Sequence, residues 1–258
     1  MISFKFLDPL KIPETRNLDL DSEKTTLVHK RIIHNKKFLQ RLYHEFYFRM
    51  KLETEGLPKG KKIEIGSGGG FLKKVMNDII TSDLVELPGV DLKFSAHDFP
   101  FQDNELSAIF LLNTLHHIPN ANLFFSECIR VLKKGGKVIM IEPSNTFFSR
   151  FIYKRFHHEP FDEYVKDWIF PDKGRLSNSN QALPWVVFYR DYDFFKRKFK
   201  DLELKKFEAH TPLRYILSGG VSMMQLVPSF TYVFFRWIDF HFFPRKTGCF
   251  YTIVLEKK

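Results

Sequence analysis

The residues best placed to do chemistry fall into three groups. The first is Glu64-Ile65-Gly66-Ser67-Gly68-Gly69-Gly70, a carboxylate followed by glycine at alternate positions. Glycines here let the backbone reverse and let a ligand approach the main chain closely. The start of a following helix then offers free N–H groups to an electron-rich ligand. A nucleotide is the natural guest. The spacing is G-x-G-x-G, so it is neither the G-x-G-x-x-G of dinucleotide folds nor a P-loop, which would need a closing Gly-Lys-Ser/Thr. The second group is Asp83, roughly twenty residues past the start of the turn, where a Rossmann-like sheet places an acid on ribose hydroxyls. The third is His157-His158-Glu159 with Asp162, beside Lys154 and Arg155. Histidine and carboxylate can take a proton from a bound hydroxyl, and the cations suit an anionic group. The pair His157-His158 is not read as a metal site, because adjacent histidines usually point apart and no third ligand is evident in the sequence.

These groups need a scaffold. Ile63 and Ile65 alternate with Lys62 and Glu64, which is strand period. Further strands are expected over 79–83, 90–94, 108–112 and 137–143, the one over 108–112 wholly apolar as a strand buried on both faces should be. A short helix is expected over 72–77. Another over 122–132 ends at Lys133-Lys134-Gly135-Gly136, basic residues and a glycine cap. Ahead of the turn, Val28, Ile32, Leu39, Leu42, Phe46 and Met50 mark one face of a single helix over 22–52. The pieces 201–208 and 249–256 alternate and complete the sheet.

Read together, Glu64-x-Gly66-x-Gly68-x-Gly70 resembles motif I of the class I S-adenosylmethionine-dependent methyltransferases. Three later segments resemble the same family in the same order. Ser95-Ala96-His97-Asp98-Phe99-Pro100-Phe101 is similar to its D-A-x-x-L-P-F segment, with Ser95 in place of the usual acid. Asn113-Thr114-Leu115-His116-His117 is similar to the N-x-L-H-H-x segment of the methyltransferase-11-like branch. The run from Arg130 to Pro143, R-V-L-K-K-G-G-K-V-I-M-I-E-P, matches its fifth-strand wording. The resemblance implies an α/β, Rossmann-like, seven-stranded, mostly parallel sheet whose antiparallel seventh strand slots between five and six. It implies S-adenosyl-L-methionine as cofactor. Glu64, Gly66, Ser67, Gly68 and Gly70 would hold its methionine arm, Asp83 with Leu84 its ribose, and Ser95, Ala96 and His97 its adenine. Asn113, Thr114 and Leu115 would close the floor under the methyl, and the N-terminal helix, with Tyr47, would lid the site. His116 and His117 are read as structural. No Asn/Asp-Pro-Pro-Tyr/Phe segment and no Pro-Cys nucleophile is present, so the two nucleobase-methylating subclasses that carry them are excluded.

The expected layout is a single methyltransferase domain over 1–258. It has a lead-in and lid helix (1–57), a cofactor-binding core (58–143), a first cap insertion (144–190), helix and strand six (191–209), a second cap (210–248) and strand seven (249–258). Both caps start at carboxyl ends of strands, where open α/β sheets bind ligands. They should therefore shape the acceptor pocket, with His157, His158 and Glu159 as the catalytic candidates. The second cap has a long uncharged stretch between Arg214 and Arg236, but one span between strands six and seven would split a sheet across a bilayer. Its aromatics, Phe234, Trp237 and Phe240 among them, lie beside Arg236 and Arg245, which suits an interfacial element or a lipid-like acceptor. The formal charge is +10, with 30 phenylalanines and 2 cysteines. That balance favours acidic partners, and so few cysteines fit a reducing, cytoplasmic setting with peripheral contact at the inner membrane face. The expected reaction is methyl transfer to a hydroxyl of a small-molecule or lipid- or glycan-linked acceptor. The alternatives are an RNA-binding protein or RNA methyltransferase, and a membrane-surface protein that keeps the fold without the chemistry. Nucleic acid is disfavoured because no appended RNA module is present.

Overall fold

The computed structural model describes residues 9–16, 18–157, 159–171, 174–243 and 247–258. Seven strands form one sheet: β1 (Lys61–Ile65), β2 (Ile79–Asp83), β3 (Leu92–Lys93), β4 (Leu106–Leu112), β5 (Leu132–Pro143), β6 (Leu202–His210) and β7 (Phe250–Lys257). Their order is β3-β2-β1-β4-β5-β7-β6. β7 runs antiparallel to both β5 and β6, and the other pairings are parallel. This is the Rossmann-like sheet expected from the sequence.

Alternation along the central strands divides the core between the two faces. Ile109 and Leu111 of β4, with Val138 and Met140 of β5, pack on one side against Phe124 and Phe125. Ala108, Phe110, Ile139 and Ile141 pack on the other side, against Phe38, Leu42 and Phe46. The first side is covered by α4 (Ala121–Val131), whose N-cap Asn120 accepts from the N–H groups of Asn122 and Leu123 at 3.1 and 3.2 Å. The glycine turn leads into the short α3 (Leu72–Val75).

The N-terminal lid departs from the single helix expected. It is two helices, α1 (Glu23–Asn35) and α2 (Lys37–Leu52), broken at Lys36, which is extended at φ −82°, ψ 91°. Lys36 is a good helix former, so local propensity gives no warning. The break is tertiary: its Nζ donates to the carbonyls of Gly220 and Met223 at 2.6 and 2.8 Å, in the second cap. The third strand is also shorter than the alternation over 90–94 implies.

The first cap contains α5 (Phe147–Phe156), α6 (Leu183–Trp185) and the turn Val186–Arg190, after which α7 (Tyr192–Lys198) leads into β6. The second cap carries α8 (Arg214–Ser218) and α9 (Tyr232–Phe242). Among the described residues, no helix is long and apolar enough to cross a membrane. Arg214, buried to 1% exposure, locks this cap onto α2. Its guanidinium donates to Glu45 at 2.7 and 3.0 Å, to Asp239 at 2.6 Å and to Tyr232 at 2.8 Å.

Candidate active site

Both caps and the two lid helices close over the carboxyl ends of β1, β2 and β4. They enclose a cavity of ≈ 280 Å³. At one end is the glycine turn. Gly66 lies at φ +67°, and a Cβ there would come within 2.7 Å of Thr114 Cγ2 and 2.8 Å of its Oγ1. Gly68 is also left-handed, at φ +44°. A Cβ on Gly70 would collide with Tyr47 Oη, which accepts the Phe71 N–H at 3.1 Å. The turn is therefore a groove that side chains at these positions would fill. Glu64 lies beneath it, buried. Burial pushes its carboxyl up to about 8; Ser67 opposes the shift and the Asp83 charge adds to it.

Asp83 ends β2 at the rim. Its Oδ2 accepts the Gly68 N–H at 3.0 Å, which ties the second strand to the turn. Leu84 is half exposed beside it on the cavity wall. Ser95, Ala96 and His97 form the next part of the wall. Ser95 Oγ accepts the His97 N–H at 3.2 Å, and His97 Nε2 accepts from the Asn120 N–H at 3.3 Å. Arg175 of the first cap reaches to 3.9 Å from Asp83 and donates to Thr26 Oγ1 of α1 at 2.7 Å. Asp21 accepts from the N–H groups of Leu176 and Ser177, which joins that cap to the lid.

The floor follows β4. Asn113 takes the left-handed conformation at φ +54°, and its Oδ1 is buried with no hydrogen-bond partner among the described residues. Left-handed backbone and a buried unpaired polar atom at a residue on a cavity wall are what a ligand-binding position tends to show. Thr114 also lines the cavity. Leu115 corrects the sequence reading: its side chain is fully buried in the core and is not part of the lining. The reason is the short 3₁₀ turn over Leu115–His117, which sends Leu115 inward and presents the two histidines to the cavity instead.

The far end is a cluster of histidines and carboxylates. Glu142, at the end of β5, is fully buried; one oxygen accepts the N–H groups of Thr114 and Leu115, each at 2.7 Å. Its other oxygen lies 2.6 Å from His116 Nδ1. His116 Nε2 faces Glu159 at 3.4 Å, and His117 Nε2 faces the same carboxylate at 3.7 Å. Burial alone would lower His116, but Glu142 and Glu159 outweigh it and bring the ring to about 9. Burial would raise Glu159, yet His117, His157 and His116 hold it well below the usual carboxylate range. Gln181 Nε2 binds both His157 Nδ1 at 2.9 Å and Glu159 at 2.8 Å. His157 and Glu159 thus reach the cavity as the sequence suggests, whereas His158 lies outside the described residues. Tyr153, Tyr215 and Phe250 line the same end.

Sequence reasoning undervalued Glu142, His116 and His117, and missed Arg175; the Gln181 amide, which with its neighbours reads in the sequence as a group for a sugar-like or ring substrate, instead holds His157 and Glu159. The first three stand inside quoted motifs, so their positions were visible; their mutual contact was not. The residues fit S-adenosylmethionine: the groove, the acid at the end of β2 and the unpaired Asn113 Oδ1 are each where the resemblance puts a cofactor contact.

Residues 63–140 match the family model described as a methyltransferase domain. A demethylmenaquinone methyltransferase of Symbiobacterium thermophilum is 33% identical over 138 residues, 53% of this chain and 53% of that protein. An uncharacterized protein of Methanocaldococcus jannaschii is 33% identical over 108 residues, 38% of this chain and 52% of that one. The chain thus spans about half the length of these curated relatives. Among solved structures, a SAM-dependent methyltransferase of Thermotoga maritima aligns at TM-score 0.54 and 19% identity, covering 90% of this chain and 99% of that one. Geranyl diphosphate C-methyltransferase of Streptomyces coelicolor, solved with S-adenosyl-L-homocysteine, aligns at TM-score 0.52 and 14% identity, covering 89% and 83%. At these identities the two structures show the fold.

Proposed function

We propose that this chain, whose residues 63–140 match a methyltransferase-domain family model, transfers a methyl group from S-adenosyl-L-methionine to a hydroxyl of a small, apolar-bodied acceptor. The observation that carries this is the single cavity, with the glycine groove and Asp83 at one end and the Glu159 cluster at the other. The cofactor supplies an electrophilic methyl on a sulfonium. Glu64 and the turn Gly66-Ser67-Gly68 with Gly70 would hold its methionine arm, and Asp83 with Leu84 its ribose. Ser95, Ala96 and His97 would border the adenine, with Asn113 and Thr114 as the floor. Tyr153, Tyr215 and Phe250 would position the acceptor's body. Glu159 and His157 would orient its hydroxyl and receive the proton. Holding two reactants in line is itself worth ~7–11 kcal/mol in favourable cases.

A lipid- or glycan-linked acceptor fits the surface. On α9 and the turn before it, Phe230, Phe234, Trp237 and Phe240 are exposed, with the Arg236 guanidinium 5.3 Å from the Phe240 ring. Exposed aromatics with flanking cations suit the interfacial zone of a membrane, and this face belongs to the cap that closes the acceptor end. The test is transfer of label from methyl-labelled S-adenosylmethionine into a lipid extract. A labelled, base-stable methyl ether supports the reading. Label found only on nitrogen, carbon or nucleic acid, or bound cofactor with no label transferred, overturns the acceptor assignment.

A further inference from the structure

We propose that His116, His117 and Glu159 form a binding site for one divalent transition-metal ion of the zinc type, open toward the acceptor end of the cavity. One ligand atom from each of the three lies within 4.8 Å of the others. His116 Nε2 lies 3.4 Å from Glu159 Oε2, and His117 Nε2 lies 3.7 Å from the other oxygen, Oε1. Charge-assisted hydrogen bonds are shorter, about 2.7–2.9 Å. Metal bonds of about 2.0–2.1 Å set at tetrahedral angles give ligand–ligand edges of about 3.3–3.4 Å. Each histidine-to-carboxylate spacing comes within a few tenths of an ångström of that edge, one to each oxygen, and the three ligand atoms as a set lie within 4.8 Å.

The surroundings are those a metal histidine needs. Ligating histidines usually give their other ring nitrogen to a carboxylate, which fixes the ring and leaves the metal-facing nitrogen with a lone pair. Glu142 stands in that position at 2.6 Å from His116 Nδ1, itself anchored by two backbone N–H groups. Gln181 holds Glu159 from the other side. The two imidazoles are tilted by 40° with centroids 4.2 Å apart, and both face one carboxylate. Two imidazoles and a carboxylate form a donor set of intermediate softness that suits zinc or a neighbouring first-row ion rather than magnesium or calcium. The site lies on the cavity wall, so a fourth position would face the acceptor.

The role of the ion, though not its presence, rests on the proposed methyl transfer. A hydroxide held on the ion takes the acceptor's O–H proton and leaves as water. The acceptor oxygen replaces it and forms the new C–O bond as the S–C bond breaks, its electron pair staying on sulfur as a neutral thioether. In this form the ion takes over from Glu159 the task of receiving the proton.

The experiment strips the full-length chain with a chelator, then titrates it with Co²⁺ followed visibly and with Zn²⁺ followed by metal content. Binding of S-adenosyl-L-homocysteine is measured on the same samples. We expect one equivalent of either ion and a tetrahedral-type Co²⁺ spectrum. Affinity should fall at least a hundredfold in Glu159→Gln and in His117→Asn, and about 10–100-fold in Glu142→Gln. Wild type that is folded and binds the homocysteine product without taking up metal overturns the inference and leaves the methyltransferase reading intact. Uptake that survives both ligand substitutions also overturns it. Stoichiometric metal at this site without product binding sustains the site and removes the reading that gives the ion its role.

Discussion

Substituting Arg214 by Met tests how the caps are held over the cavity. Arg214 is 1% exposed and makes four contacts of 3.0 Å or less, two to Glu45 on α2, one to Asp239 and one to Tyr232 on α9. Methionine keeps much of the volume and removes the charge, leaving the buried Asp239 without its cation and the part-buried Glu45 with Arg236 and Arg49 alone. Breaking a buried ion pair in this way costs about 3–5 kcal/mol. At about 2–4 °C per kcal/mol for a chain of this size, the melting temperature should fall by about 6–20 °C. The acid response adds a second signature. Burial alone would raise the Glu45 carboxyl, but Arg214, with Arg49 and Tyr232, brings it down to about 2. A depressed carboxylate contributes stability that is fully present above its unfolded value near 4.5 and is lost as pH falls through 2. In Arg214→Met that limb should flatten, because Glu45 loses its main cation while acid neutralises the stranded Asp239. Thermal melts from pH 3 to pH 7 read both effects. The triple substitution Arg214→Met, Glu45→Leu, Asp239→Leu should recover most of the loss, since apolar replacements of a buried triad are often neutral or better. A shift under 2 °C for the single variant with an unchanged acid limb would refute the reasoning.

Three further outcomes are expected. Gly66→Ala should cost about 1–2 kcal/mol for its left-handed backbone and displace Thr114, so isothermal titration should show product affinity at least tenfold weaker in a protein that still folds. Tyr47→Phe leaves the buried Phe71 N–H without its acceptor, a loss of about 1–3 kcal/mol visible in urea denaturation. Glu64 is raised to about 8, so the unliganded protein should lose stability as pH climbs from 4.5 toward 8. The cofactor's positive groups should favour the ionised carboxylate, so S-adenosylmethionine affinity should rise with pH to about 8 and then level off; calorimetry in buffers of different ionisation enthalpy should record proton release below that pH.

Much of this arrangement was legible in the residues. Glu64 to Gly70 and Asp83 share one local grammar, strand, turn and acid, and local patterning survives folding intact. Strands buried on both faces announce themselves as the apolar run in β4. The break at Lys36 could not be read, because its cause lies far along the chain at Gly220 and Met223. The same holds for the histidine cluster. His116, Glu142 and Glu159 come from three segments and meet only because β4 and β5 are neighbours and the first cap folds back over them. Leu115 failed for a subtler reason: a 3₁₀ turn rotates successive side chains by a third of a circle, so a motif match did not say which of its residues faces the ligand.

The central claim is that this cavity holds S-adenosylmethionine. Its most direct test is a thermal melt with S-adenosyl-L-homocysteine or S-adenosylmethionine, run on the wild type and on Asp83→Ala. Ligand at about a hundredfold over its dissociation constant adds roughly 2.7 kcal/mol, a rise of about 5–10 °C for this chain. The account predicts that rise in the wild type and its loss in Asp83→Ala. A folded wild type that shows no rise at millimolar ligand, or an equal rise in both proteins, would contradict it.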